Sequence, residues 1–141
     1  MATPAIIRTV WPDAQELARA AAHLIVTLSN ESVAQKGFFS IALSGGNTPK
    51  LLFELLSQPP FIDNIPWKKM IVAFGDERFV PHKSDESNYK MARIALLDKV
   101  PLLKKNILAV QTEKITAERS AEQYEQQIKR HISARQPFDL L

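Results

Sequence analysis

There is no cysteine among the 141 residues, which excludes disulfides, thiolate metal sites and a cysteine nucleophile. Glycine is scarce, four in all, and two of the four stand side by side. The longest apolar runs last only a few residues, far short of the ~20 that a membrane helix needs. Long basic runs are missing too: the net charge is +3, and the cations fall in scattered pairs such as Lys68-Lys69, Lys104-Lys105 and Lys129-Arg130. So mild a balance suits a small anion as well as it suits nucleic acid. The opening MATPAIIRTVWPDAQ lacks a basic region followed by an apolar stretch, so no secretory leader is read there and the cytosol is the expected compartment. Repeats and low-complexity stretches are absent. What is present is globular in composition, with 45% hydrophobic and 23% charged residues, and its length suits a single domain.

Strand-like and helix-like segments alternate along the chain. Ala5–Val10 is short, apolar and β-branched, and reads as a first strand. Asp13, with Glu16 three residues on, opens a helix whose buried face is expected at Leu17, Ala21, Leu24 and Leu28, with Gly37 as its stop. Phe38–Leu43 runs apolar with little alternation, as a strand covered on both faces does. Asn47 or Thr48 is expected to cap the next helix, with Pro49 in its first turn, Leu51, Leu52, Leu55 and Leu56 buried, and Pro59-Pro60 as its end. Met70–Phe74 is the third strand, Tyr89–Asp98 a helix with Ile94 and Leu97 inward, and Asn106–Val110 a fourth strand. A long helix over 116–134 and a last strand from Pro137 to Leu141 complete the pattern. The alternation predicts an α/β fold, doubly wound, with a mostly parallel sheet and helices on both faces. The pattern breaks off at Phe138-Asp139-Leu140-Leu141 inside an apolar strand. Residues 1–141 are therefore expected to be one α/β domain, incomplete at its C-terminus, with self-association through the unfinished strand edge.

In parallel sheets ligands bind beyond the carboxyl ends of the strands, which singles out the loops after Leu43, Phe74 and Val110. Ser44-Gly45-Gly46-Asn47-Thr48-Pro49 joins a buried strand to a helix. Its glycines let the backbone approach a ligand, its free N–H groups and helix end favour a phosphate, and Ser44 and Thr48 add hydroxyls. The same pattern also describes a plain strand-to-helix turn. Gly75-Asp76-Glu77-Arg78 ends the third strand at the same edge. Adjacent side chains on an extended backbone point oppositely, so Asp76 and Glu77 are not a carboxylate pair: one faces the ligand and the other braces Arg78 or the loop. Arg78 carries the planar fork that matches phosphate or carboxylate. His23 and His131 read as structural or surface groups and His82 as a loop residue, and no two histidines have metal-ligand spacing.

ALSGGNTP, FGDERFVP and SDESNYKMARIALLDKVP, in this order and spacing, resemble the 6-phosphogluconolactonase family. SGG-x-T-P is shared with the related glucosamine-6-phosphate deaminases, which carry Asp-Glu-Tyr where this chain has Asp76-Glu77-Arg78. The resemblance implies hydrolysis of 6-phospho-D-glucono-1,5-lactone to 6-phosphogluconate in the oxidative pentose phosphate pathway. The partner would be a small sugar phosphate, with no nucleic acid, membrane, metal or organic cofactor involved. It places Ser44, Gly45, Gly46, Asn47 and Thr48 at the phosphate, Arg78 on the anionic substrate, and Asp76 where the deaminases keep a proton-transfer aspartate. The family's Gly-x-Asp-Gly-His-Thr-Ala-Ser segment, source of the water-activating histidine, is not in this sequence. The expectation is half a site and no activity from this chain alone. The competing readings are a deaminase or sugar-phosphate isomerase on the same fold, and an inactive sugar-phosphate-binding fragment.

Overall fold

Two pentapeptides, Phe39–Leu43 (β1) and Met70–Phe74 (β2), are buried at every position and pair in parallel, Phe39 opposite Met70 through Leu43 opposite Phe74. Strands with apolar residues on both sides of the pleat must be covered on both sides. The computed structural model describes residues 5–141, and the two faces there are distinct. Phe39, Ile41, Leu43, Met70, Val72 and Phe74 face helices α1 (Ala14–Lys36), α2 (Asn47–Leu56), α3 (Phe61–Asn64) and α4 (Asn88–Ala92), the last passing into a π-helical turn at Arg93–Leu97. Ala42, Ile71, Ala73 and Leu108 face the other way, against Tyr124 and Ile128 of α5 (Ala117–Lys129). Each large side chain buried on the first face contributes about 1.5–3 kcal/mol, so that face carries most of the stability.

Two further segments extend the sheet by single parallel bridges, Leu140 beside Ile41 and Ile107 beside Val72. The Asn106–Val110 strand is thus shortened to one bridge, and Tyr124 supplies the reason. Leu108 N–H donates to Val72 O at 2.7 Å. Two residues on, Phe74 offers its N–H and C=O to the same edge, and the Tyr124 hydroxyl takes both: it accepts from Phe74 N at 2.7 Å and donates to Phe74 O at 2.8 Å. The segment after Leu108 turns away, held by His82 Nε2 on Val110 O (2.7 Å) and by Ser120 Oγ on Gln111 O.

The C-terminal bridge has its own anchor. Asp139 accepts from Ser40 N (2.8 Å), Ser40 Oγ (3.0 Å) and Ser32 Oγ (3.1 Å), and pairs with Lys36 Nζ at 2.8 Å. Burial alone would raise the Asp139 carboxyl; the Lys36 ammonium, the Ser40 N–H and the two hydroxyls outweigh it and hold it below the usual carboxylate range.

Four expectations need correction. Ala5–Val10 forms no strand: Ile6, Ile7 and Val10 are 96%, 89% and 81% exposed, so nothing rewards its ordering. Asp13 does cap α1, accepting from Glu16 N at 2.8 Å, and Gly37 ends it at φ 88°. The buried stripe of α1, however, is Ala18, Ala22, Ile25, Ser29 and Ser32, while Leu17 and Leu24 stay exposed. Small residues let α1 lie close to the sheet, and the leucines flank the contact. Ile94 is likewise exposed, because the π-turn shifts the inward face to Ala95, Leu96 and Leu97. The long helix is trimmed to Ala117–Lys129, with Thr116 as its cap.

Candidate active site

The loop after β1 turns at Gly46, whose φ of 105° only glycine adopts without strain. Gly46, and neither Asn47 nor Thr48, is therefore the cap of α2, and no side chain satisfies the first N–H groups of that helix. Those groups, with the positive helix end, are free to meet an anion. Pro49, in the first turn, has no N–H to offer. Ser44, Gly46, Asn47 and Thr48 are all exposed at this edge.

The loop after β2 divides its three charges cleanly. The Glu77 carboxylate is consumed internally: Oε1 accepts from Arg78 N and Asn88 N, both at 2.8 Å, and Oε2 accepts from Tyr89 N at 2.9 Å and Ser87 Oγ at 3.2 Å. An anion at the start of α4 satisfies N–H groups that have no helical partner. Asp76 points the other way. Its Oδ2 accepts from Arg78 Nη1 at 3.2 Å and its Oδ1 from Asn88 Nδ2 at 3.1 Å, with its side chain 68% exposed. Asp76 thus faces the open edge and Glu77 braces the loop.

Asn88 joins the two loops, and the sequence reading assigned it no role. Its amide donates to Asp76 and accepts from Arg78 Nη1 at 3.4 Å. It also lies against Gly45: a Cβ built there would fall within 2.8 Å of Asn88 Nδ2 and closer to the rest of the amide. Gly45 is the glycine demanded by close approach, and Gly46 the one demanded by backbone conformation. Asn88 lies in the SDESNYK segment, but only the folded contact with Gly45 distinguishes it from an ordinary helix start.

The histidines lie elsewhere. His82 Nε2 is committed to the Val110 carbonyl and its ring packs 4.5 Å from Tyr89. His23 meets the edge of Phe61, and His131 follows α5. None of the three hydrogen-bonds to Asp76, Arg78 or Asn88 among the described residues. No group of three or more potential metal ligands gathers there either.

A parallel α/β sheet thus carries a helix-capping glycine turn and an arginine–carboxamide–carboxylate cluster at one carboxyl edge. The chain belongs to the glucosamine-6-phosphate isomerase/6-phosphogluconolactonase family, whose sequence pattern it matches over residues 12–141. It is 41% identical over 119 residues to a 6-phosphogluconolactonase of Nostoc sp., covering 84% of this chain and 48% of that protein. A probable chloroplastic 6-phosphogluconolactonase of Oryza sativa is 39% identical over 122 residues, with 86% of this chain and 37% of the relative covered. The fold matches the structure of 6-phosphogluconolactonase from Trypanosoma brucei with a TM-score of 0.76 and 31% identity, over 89% of this chain and 50% of that one. The chain spans half or less of the length of these relatives.

Proposed function

We propose that the complete protein carrying this chain hydrolyses 6-phospho-D-glucono-1,5-lactone to 6-phosphogluconate, and that residues 1–141 supply its anion-binding half. The observation that carries this reading is Asn88, packed on Gly45 and bonded to Asp76 and Arg78, which fuses the two loops into one site. In the reading, the phosphate lies on the free N–H groups of Asn47 and Thr48, with the Ser44 and Thr48 hydroxyls beside it. Arg78 binds the anionic substrate through its fork, and Asp76 holds that fork in place. A remote phosphate supplies binding energy that orients the lactone carbonyl for attack. Hydrolysis then needs a water relieved of its proton and a stabilised oxyanion as the ring oxygen leaves. Asp76 is engaged by Arg78 and Asn88, and His82 Nε2 is committed to Val110, so in this reading the base is assigned to residues outside this chain. Arginine at position 78, where the deaminases carry tyrosine, favours the lactonase over the deaminase. For the compartment we propose the cytosol, to be checked by fractionation, since relatives include proteins named chloroplastic.

The test is to follow freshly generated 6-phosphogluconolactone with the complete protein, against the spontaneous rate, beside an assay for ammonia release from glucosamine 6-phosphate. Faster lactone loss with no ammonia is expected. Ammonia release without lactone hydrolysis would overturn the reading.

A further inference from the structure

Four of the six paired cations that look scattered in the sequence converge at the opposite edge of the sheet from the site above. Lys68 and Lys69 form the turn that enters β2, and Lys105 lies in the turn that enters the Ile107 bridge. Arg130 is the C-cap of α5. All four line one groove of about 490 Å³, with Phe38, Ile71 and Leu103 contributing apolar wall and Asn106, His131 and Gln136 polar groups. The volume falls in the range of small-molecule sites, roughly 300–1,000 Å³.

The charge there has no internal explanation. No carboxylate lines the groove, and none of the four cations makes an ion pair or a side-chain hydrogen bond among the described residues. The neighbouring Lys36 differs: it is neutralised by Asp139 at 2.8 Å while its ammonium sits 4.5 Å from the Phe38 ring. Arg130 has a partial structural role, because a cation at a helix C-terminus is favourable. Lys68, Lys69 and Lys105 sit on single 3₁₀ turns, too short for that effect. These four charges exceed the net +3 of the whole chain, so the remainder of the molecule sums to −1. Like charges gathered without counter-charges repel, and a bound polyanion removes that cost.

We propose that this groove is a second anion site, separate from the Gly45–Arg78 edge, that takes a small ligand bearing a chain of phosphates. One phosphate cannot meet four cations spread over two turns and a helix end; a di- or triphosphate can. The apolar wall of Phe38, Ile71 and Leu103 offers a place for an organic group attached to that chain.

Titration calorimetry on the complete protein tests this with sodium tripolyphosphate, orthophosphate and ATP as probes. Tripolyphosphate is expected to bind more tightly than orthophosphate, and to weaken as salt rises. Lys68→Glu/Lys105→Glu should raise its dissociation constant at least about tenfold, the loss expected for charge-assisted contacts. The milder Lys68→Gln/Lys105→Gln should weaken it less, at an unchanged melting temperature. Arg78→Ala should leave tripolyphosphate affinity unaltered. Equal affinity for tripolyphosphate and ATP supports recognition of the phosphate chain alone, and tighter ATP supports an added contact on the apolar wall. Four results overturn the proposal: tripolyphosphate binding no tighter than orthophosphate, affinity indifferent to both lysine variants, affinity lost in Arg78→Ala, or an oligonucleotide binding more tightly than tripolyphosphate.

Discussion

Asn88 shows how much chemistry one buried amide can organise. It reads both loops at once, donating to Asp76, accepting from Arg78 and filling the space that a side chain at position 45 would need. Gly45→Ala is therefore expected to displace Asn88 and lower kcat/KM for the lactone more than Gly46→Ala does, since a Cβ at Gly46 meets only Pro49 Cδ at 3.9 Å. Gly46→Ala should act instead through its strained φ, reducing thermal stability by about 1 kcal/mol. Steady-state kinetics and melting curves on the two variants separate the effects. Arg78→Ala should cost about 1.5–3 kcal/mol in substrate binding, roughly ten- to a hundredfold, with Arg78→Lys recovering only part because it loses the bidentate fork. Wild-type kcat/KM in Arg78→Ala would reduce this residue to a surface charge. The loops themselves were legible from the sequence, because glycine pairs and charge runs at strand ends are local signals. Asn88 was not, because its meaning lies in a contact between segments far apart in the chain.

Among the elements, β1, β2 and the start of α1 follow the sequence closely, since burial on two faces and an Asp13 cap are local requirements. The segment 106–110 does not, because its pairing is decided by a residue of α5. Tyr124→Phe keeps the packing but leaves Phe74 N–H and C=O unpartnered, at an expected cost of about 1–3 kcal/mol, readable by urea denaturation. The α1 stripe was misplaced for another reason: helical spacing fixes a period but permits two adjacent stripes, and the smaller residues won the closer approach. Asp139 gives the expected acid response. Its carboxyl is held below the ordinary range, so its contribution is fully present above the unfolded value of ~3.9 and is lost as pH falls through the lower folded value. Asp139→Asn should remove that part of the acid dependence and lower stability at neutral pH, as unfolding curves across an acid series would show.

At the scale of the molecule, the sheet has one well-covered side edge and one open one. Beside the Leu140 bridge, α1, α2 and β1 leave an apolar hollow of about 300 Å³, with Leu17 41%, Leu24 49% and Leu141 84% exposed. Residues 1–141 expressed alone are therefore expected to self-associate, visible by sedimentation, and to leave lactone hydrolysis at its spontaneous rate. Leu24→Glu should shift the segment toward monomer. A monodisperse segment that beats the spontaneous rate would mean that a base is present within it after all. The two faces of the sheet are also unequal: four helices cover one, while α5, whose buried residues number Ser120 alone, covers the other. Few buried contacts make a unit that opens before the rest. The end of β2 is tied to that unit by one phenolic oxygen, so the Phe74 amide should exchange its hydrogen at the pace of α5 rather than of Val72 beside it. The loop bearing Asp76 and Arg78 would then lose one of its anchors whenever α5 undocks, leaving the Glu77 bonds to hold it, and whatever tightens α5 would quieten the proposed anion site from behind.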